Sequence, residues 1–294
     1  MHVVGVTWRA RNDGFDSGLT VRNESNELEL LKLKRDMRIA WSLKGPKMCI
    51  GRIFTDRQLV PCPLNRLVVK GTKCHECSAL DSFEPCIRCT GHQCGADEIR
   101  RDACRESDYI VYLAVFSDRS LKVGVSSKSR VMTRWVEQGA DFAGVLSELK
   151  DGKMARRLEH VIGKHPAVLT AVSGYRKKNS LLDSLTMEDA SSIVEEFLSK
   201  LPDDSRFQDV DLKNLLPYYG LENLDTEPLS WPEGNRGVAG QELSGEVVGM
   251  KGVLLVTHIG HAYRLVSLKR LIGYNLEEEI STTVNSQSGL LDFL

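Results

Sequence analysis

Residues 109–125 read YIVYLAVFSDRSLKVGV: a dense apolar and β-branched run from Tyr109 to Phe116, four turn residues from Ser117 to Ser120, and a second short run from Leu121 to Val125. Two such runs around a polar turn predict a β-hairpin. Downstream the period changes to that of helices. Val131, Met132, Trp135 and Val136 recur at helical spacing over 128–139, with Gly139 as a stop, and Met154, Ala155, Leu158, Val161 and Ile162 do so over 152–164, with Asp151 as a cap. A third helix is predicted from Thr186, where Asp189 three residues on suits an N-terminal cap and Ala190, Ile193, Val194, Phe197 and Leu198 form the apolar stripe.

Outward from this centre the signals are of β structure. LELLKLKRDMRIAW (28–41) mixes apolar and charged residues in near alternation and predicts a strand with one wet face. Between Lys44 and Asp108, Gly, Pro and Cys recur too often for long helices, so short strands and metal-pinned knuckles are expected. Residues 202–244, rich in Pro and Gly, read as an extended connection, and 245–250 and 252–258 as two strands joined at Lys251-Gly252. There is no internal repeat and no low-complexity tract.

The chain has 294 residues, 41% of them hydrophobic and 27% charged, which excludes a disordered or fibrous polymer. At roughly 150 residues per domain the length suggests about two units. No apolar run approaches the roughly 18 residues of a membrane-spanning helix, so no membrane partner is expected. The N-terminus lacks a basic start followed by an apolar stretch. The expected compartment is cytoplasmic. The net charge of −1 conceals an asymmetry: Lys/Arg exceed Asp/Glu by 18 to 13 in residues 1–105 and by 10 to 8 in 106–170, but fall to 11 against 19 in 171–294. A basic excess in the first two thirds is compatible with phosphate-rich partners.

All eight cysteines, Cys49, Cys62, Cys74, Cys77, Cys86, Cys89, Cys94 and Cys104, fall within 56 positions. In a reducing compartment such a cluster favours metal over disulfides. Cys74-His75-Glu76-Cys77 and Cys86-Ile87-Arg88-Cys89 are Cys-x-x-Cys knuckles, whose tight turns bring two sulfurs to one tetrahedral zinc. Two zinc sites are expected, one from Cys49, Cys62, Cys74 and Cys77 and one from Cys86, Cys89, Cys94 and Cys104. Another pairing stays open, in which the two knuckles share one ion or His75 or His92 replaces a sulfur. The spacing matches neither common ferredoxin pattern, and neither knuckle opens a helix of a βαβ redox unit. Fully thiolate-ligated zinc has no open position for water, so its expected role is structural.

Residues 109–160 resemble the GIY-YIG nuclease superfamily. Ile110-Val111-Tyr112 stands where its first tripeptide would be and Lys122-Val123-Gly124 where the second would be; Arg134 in RVMTRWVEQGA takes the place of the helical arginine and Glu159 in ARRLEHVIGKH that of the metal-binding glutamate. With PCIRCTGHQC, VYLAVF, KVGVS, RWVEQGA and GEVVGMKGVLLV, the chain as a whole also resembles an uncharacterised prokaryotic family described only as a domain of unknown function. The resemblance implies an α+β fold: a β-rich cysteine/zinc module over 1–107, a GIY-YIG-like domain over 108–205, and a linker with a small C-terminal β segment over 206–294.

It also implies a phosphodiester-cleaving site. Such chemistry needs a base near the attacking water, a cation beside the phosphate and a divalent ion on the departing oxygen; Tyr112, Arg134 and Glu159 would fill these roles, the last with Mg²⁺. Lys122 departs from the tyrosine found in many active members. A lysine binds phosphate but is a poor base unless burial lowers its pKa. The expected protein is therefore a zinc-containing binder of DNA or RNA, a candidate metal-dependent endonuclease. The alternatives are an inert scaffold that keeps the nuclease fold to bind nucleic acid or protein, and a nucleic-acid-modifying enzyme.

Overall fold

A computed structural model describes residues 1–202, 207, 209–231 and 238–278. The central hairpin pairs Asp108–Val115 with Leu121–Ser127 in the antiparallel register Tyr112↔Gly124 and Ala114↔Lys122. A strand that carried no periodic signal of its own, Phe142–Lys150, pairs with the other edge of Asp108–Val115. Val168–Leu169 and Lys213–Asn214 complete a five-stranded sheet. From Ile110 to Val115 the middle strand is buried, because both its faces are covered there. Ile110, Tyr112 and Ala114 enter one hydrophobic core, and Val111, Leu113 and Val115 enter another.

The three predicted helices form at Val131–Gln138, Gly152–Ile162 and Met187–Leu198. A short 3₁₀ turn, Lys128–Arg130, precedes the first, and Gly139 ends it in the left-handed conformation at φ 66°. Asp151 caps the second by accepting from the Lys153 amide at 2.8 Å. Thr186 and Asp189 form a reciprocal capping box on the third.

The two ends of the chain meet in one nine-stranded sheet. Its order is Leu229–Trp231, Ala262–Ser267, Leu254–Ile259, Glu242–Lys251, Arg38–Lys44, Asn275–Glu278, His2–Arg11, Gly14–Arg22 and Leu28–Lys32. The expected strand over 28–41 is two strands, since Asp36 turns in the left-handed region at φ 63° and the Met37 amide closes the turn on the Lys34 carbonyl. The expected connection over 202–244 contributes a strand to each sheet and, between them, buried Tyr219, whose hydroxyl donates to the Ala140 carbonyl at 2.5 Å. Residues 203–206, 208 and 232–237 of that stretch lie outside the described residues, as do 279–294.

The hairpin Glu242–Lys251/Leu254–Ile259 fastens the large sheet to the central unit. Its tip carries Lys251, buried against Asp141 at 2.7 Å and the Ser117 hydroxyl at 2.8 Å. Trp8 donates its indole N–H to the Gly252 carbonyl at 2.7 Å.

The cysteine-rich residues hold two two-residue strands and the short helices His75–Ala79, Glu84–Ile87 and Glu98–Glu106. Arg22, buried in the large sheet, donates to the Ile50 carbonyl at 3.2 Å. Buried Asp81 ties this region together: it pairs with Lys73 at 2.6 Å and accepts from the Ile53, Phe83 and Glu84 amides. Burial pushes its carboxyl up, but the Lys73 ammonium and the Ile53 and Phe83 amides outweigh it and hold the group below the ordinary range.

Candidate functional site

The hairpin register puts Tyr112, Lys122 and Gly124 on one face of the sheet. Gly124 lies directly beneath the Tyr112 ring, where an added Cβ would stand 2.4 Å from it. Only glycine lets the ring lie flat across the neighbouring strand at this point. The ring meets Trp135 edge-on at 6.0 Å, and its hydroxyl accepts from the Gln138 side-chain amide at 2.5 Å. Trp135 is buried in the core, as its place in the apolar stripe implies. Tyr112 is almost wholly buried, which pushes its phenol above the ordinary range; Arg134 and the Gln138 hydrogen bond act in the opposite sense, and Glu159 adds to the rise.

Lys122 places its ammonium 5.8 Å from the Tyr112 ring centroid and donates to the Val123 carbonyl at 3.0 Å. Burial lowers its pKa to about 8, opposed by Glu159 and helped by Arg134 and Arg156. Arg134 stands half-exposed on the first helix, 3.6 Å from Glu137. Glu159 lines the cleft from the second helix, whose Leu158 and Ile162 enter the core, and pairs with Arg156 one turn earlier at 2.8 Å. Burial pulls the Arg156 guanidinium down, but this pair outweighs it and holds the group above its usual range.

The structure thus brings Tyr112, Lys122, Arg134 and Glu159, from two strands and two helices, into the lining of one cavity of about 520 Å³. Its other wall belongs to the cysteine-rich region and includes Arg57, Phe83, Cys86, Arg88 and Arg100. Among the described residues Glu159 is the only carboxylate in a lining that also carries seven Arg and Lys side chains. The sequence resemblance named the floor of this cleft but not its cysteine-rich wall, since no local spacing links residue 57 or 100 to residue 134.

Within the cysteine-rich region the first cysteine quartet is assembled. The sulfurs of Cys49, Cys62, Cys74 and Cys77 all lie within 4.8 Å of one another, with Cys62 and Cys74 3.9 Å apart. Cys74 caps the helix His75–Ala79, so this knuckle does open a helix, but one of five residues outside any βαβ unit. Backbone amides aim at the sulfurs: Cys74 N–H reaches Cys49 Sγ at 3.1 Å, Gly51 N–H reaches it at 3.4 Å, and Cys77 N–H reaches Cys74 Sγ at 3.5 Å. Burial raises the Cys62 thiol, but hydrogen bonds from the Arg66 and Leu64 backbone and from its fellow cysteines bring it to about 7. Four converging thiols with amide donors are a donor set that suits a tetrahedral thiophilic ion.

The second quartet is not gathered in this way. Cys86 and Cys89 line the cleft, Cys94 is exposed, and Cys104 accepts from the Tyr109 hydroxyl at 3.6 Å while packing against Gly152. Cys89 does repeat one feature of the first site: Gly91 N–H points at its sulfur at 3.4 Å, as Gly51 N–H points at Cys49. His75 and His92 stand outside the four-sulfur cluster; the His92 ring packs against His160 at 5.7 Å. Among the described residues no helix is long and apolar enough to cross a membrane.

The family whose pattern matches residues 38–276 is described as Protein of unknown function (DUF2797). That span takes in both cysteine quartets and the whole cleft. No curated protein and no solved structure matches the chain.

Proposed function

We propose that this chain, which belongs to the DUF2797 family, is a zinc-containing nucleic-acid-binding protein whose cleft binds a phosphodiester and cuts it with the help of Mg²⁺. The observation that carries the reading is the convergence of Lys122, Arg134, Glu159 and Tyr112 on one cationic cavity. Arg134 and the other lining cations attract the strand through its phosphates. In its neutral form Lys122 takes a proton from the attacking water as the water oxygen bonds to phosphorus, and the bond to the departing sugar oxygen breaks. A base with a pKa near 8 is better matched to neutral conditions than Tyr112, whose phenol burial keeps protonated. Tyr112, fixed by Gln138 and Trp135, positions the reacting groups. Glu159 would hold Mg²⁺, which supplies charge neutralisation at the departing oxygen, once Arg156 turns from it toward the phosphate.

We assign the metal of the Cys49, Cys62, Cys74 and Cys77 cluster as zinc, and a second zinc to Cys86, Cys89, Cys94 and Cys104. Both are structural on this reading: they fix the wall that faces the nuclease-like floor.

The test is a cleavage assay on single- and double-stranded DNA and RNA with and without Mg²⁺. Glu159→Gln should leave binding intact and abolish cutting, whereas Lys122→Ala and Arg134→Ala should weaken binding as well. A second reading rests on the Arg156–Glu159 pair, which neutralises the would-be metal ligand: an inert binder. Wild-type protein that binds a strand and never cuts it establishes that reading instead; absence of any binding removes both.

A further inference from the structure

Three arginines from three parts of the chain, Arg57, Arg100 and Arg130, share the lining of the cleft. Arg57 lies at the tip of a turn in which the Arg57 amide donates to the Phe54 carbonyl at 2.9 Å and the Phe54 amide to the Gln58 carbonyl at 3.0 Å. Its backbone is in the left-handed region at φ 67°, uncommon for a residue with a side chain. That conformation costs on the order of 1 kcal/mol or more and is met most often where surrounding structure or function demands it. From the turn the guanidinium reaches the Phe83 ring at 5.4 Å, and Arg100, from the helix Glu98–Glu106, reaches the same ring at 4.7 Å. Arg130 comes from the 3₁₀ turn after the central hairpin.

These guanidiniums sense one another. Partial burial and the charges of Arg130 and Arg100 hold the Arg57 guanidinium below its ordinary range, with Tyr109 opposing. Only one carboxylate answers the three: Arg130 pairs with Glu137 at 3.0 Å, whereas Arg57 and Arg100 have no ion pair among the described residues. The Arg100 Nε–H is buried without a hydrogen-bond partner. Like charges gathered at a cavity wall, two of them oriented by an aromatic ring, form a receptor for an anion with several acceptor oxygens.

We propose that Arg57, Arg100 and Arg130 form a second phosphate subsite, which holds a phosphate group of the bound strand other than the one at Lys122, Arg134 and Glu159. The proposal rests on the phosphate-binding reading of the cleft and extends it to the cysteine-rich wall. It assigns that wall a direct part in recognition: the turn carrying Arg57 and the Phe83 ring are held in place through Asp81, which the Lys73 ion pair and three amides secure. The group it takes is a backbone phosphodiester or a terminal phosphomonoester, which share their oxygen acceptors.

The test is fluorescence anisotropy of a labelled single-stranded oligonucleotide in Mg²⁺-free buffer over a salt series. The proteins are full-length wild type, Arg57→Gln, Arg130→Gln and the remote control Arg35→Gln, each first shown to melt like wild type. Arg57→Gln and Arg130→Gln should each lower the log–log salt slope by about one, with Arg35→Gln unchanged. Tighter binding of a 5′- or 3′-phosphorylated strand that is lost in Arg57→Gln identifies a terminal phosphate; the slope change without that preference identifies a backbone phosphate. Strand binding with an unchanged slope in Arg57→Gln overturns the subsite and leaves the nuclease-like reading standing. Should wild type bind no strand, calorimetric titration with inorganic phosphate at constant ionic strength decides: binding that needs Arg57 retains the subsite without nucleic acid, and binding that ignores Arg57, or none, overturns it.

Discussion

Tyr112 and Gly124 face each other across the central hairpin, and the space above Gly124 is filled by the Tyr112 ring. The glycine is therefore a steric requirement of the tyrosine. Gly124→Ala should displace the ring from Gln138 and Trp135 and destabilise the protein by about 1–3 kcal/mol, as overpacking does. Urea unfolding checks the magnitude. A combined Gly124→Ala/Tyr112→Leu variant should recover part of the loss, and a purely additive double variant would argue against the steric coupling.

Metal analysis of single-cysteine variants tests the two cysteine quartets separately. Purified protein should carry close to two zinc ions per chain. Cys77→Ser should lose one and loosen residues 49–81, because ligand binding and local folding share one free energy; Cys89→Ser should lose the other. Elemental analysis gives the count. If Cys89→Ser retains as much zinc as wild type, the second quartet is not a zinc site.

Burial of Lys122 makes stability depend on pH. Its folded pKa of about 8 lies below the unfolded 10.5, so between these values the unfolded chain binds more protons and stability rises with pH. The penalty is complete below about pH 8 and gone above 10.5. Lys122→Met should thus stabilise the protein at pH 7 and lose that gain by pH 10.5, with an upper limit on the order of 3 kcal/mol. Unfolding curves of both proteins at the two pH values test this; an equal gain at both would refute it. Cleavage by wild type should rise with pH through about 8 as the amine becomes neutral.

Lys251 and Asp141 join the two sheets through a buried pair 2.7 Å apart, with Ser117 donating its amide and hydroxyl to the same carboxylate. Removing one partner strands a buried charge. Lys251→Met and Asp141→Asn should each cost about 3–5 kcal/mol. The double variant should cost clearly less than their sum, because the second substitution removes the group that the first left unpaired. A double-mutant cycle in urea measures this coupling, and strict additivity would show that the pair does not link the sheets.

Local pattern by itself determined the central hairpin, the three helices with their caps, and the cysteine spacing. Each rests on interactions between residues a few positions apart: the hairpin turn, the i, i+4 stripe, the Asp151 and Thr186 caps, the Cys-x-x-Cys turn. The resemblance also named Tyr112, Lys122, Arg134 and Glu159, which come together in one cavity. Tertiary structure alone decided the rest. His2–Arg11 lies beside Asn275–Glu278 because two distant edges satisfy each other's backbone groups, a pairing that no short window contains. Lys122 acquired a pKa of about 8 from burial, against the pull of Glu159 and with the help of Arg134 and Arg156, all distant in sequence. Arg57 and Arg100 reached the cleft because Phe83 and Asp81 hold the cysteine-rich wall against it. Burial and charge act through space, so their effects on a side chain are fixed only once the chain has closed around it.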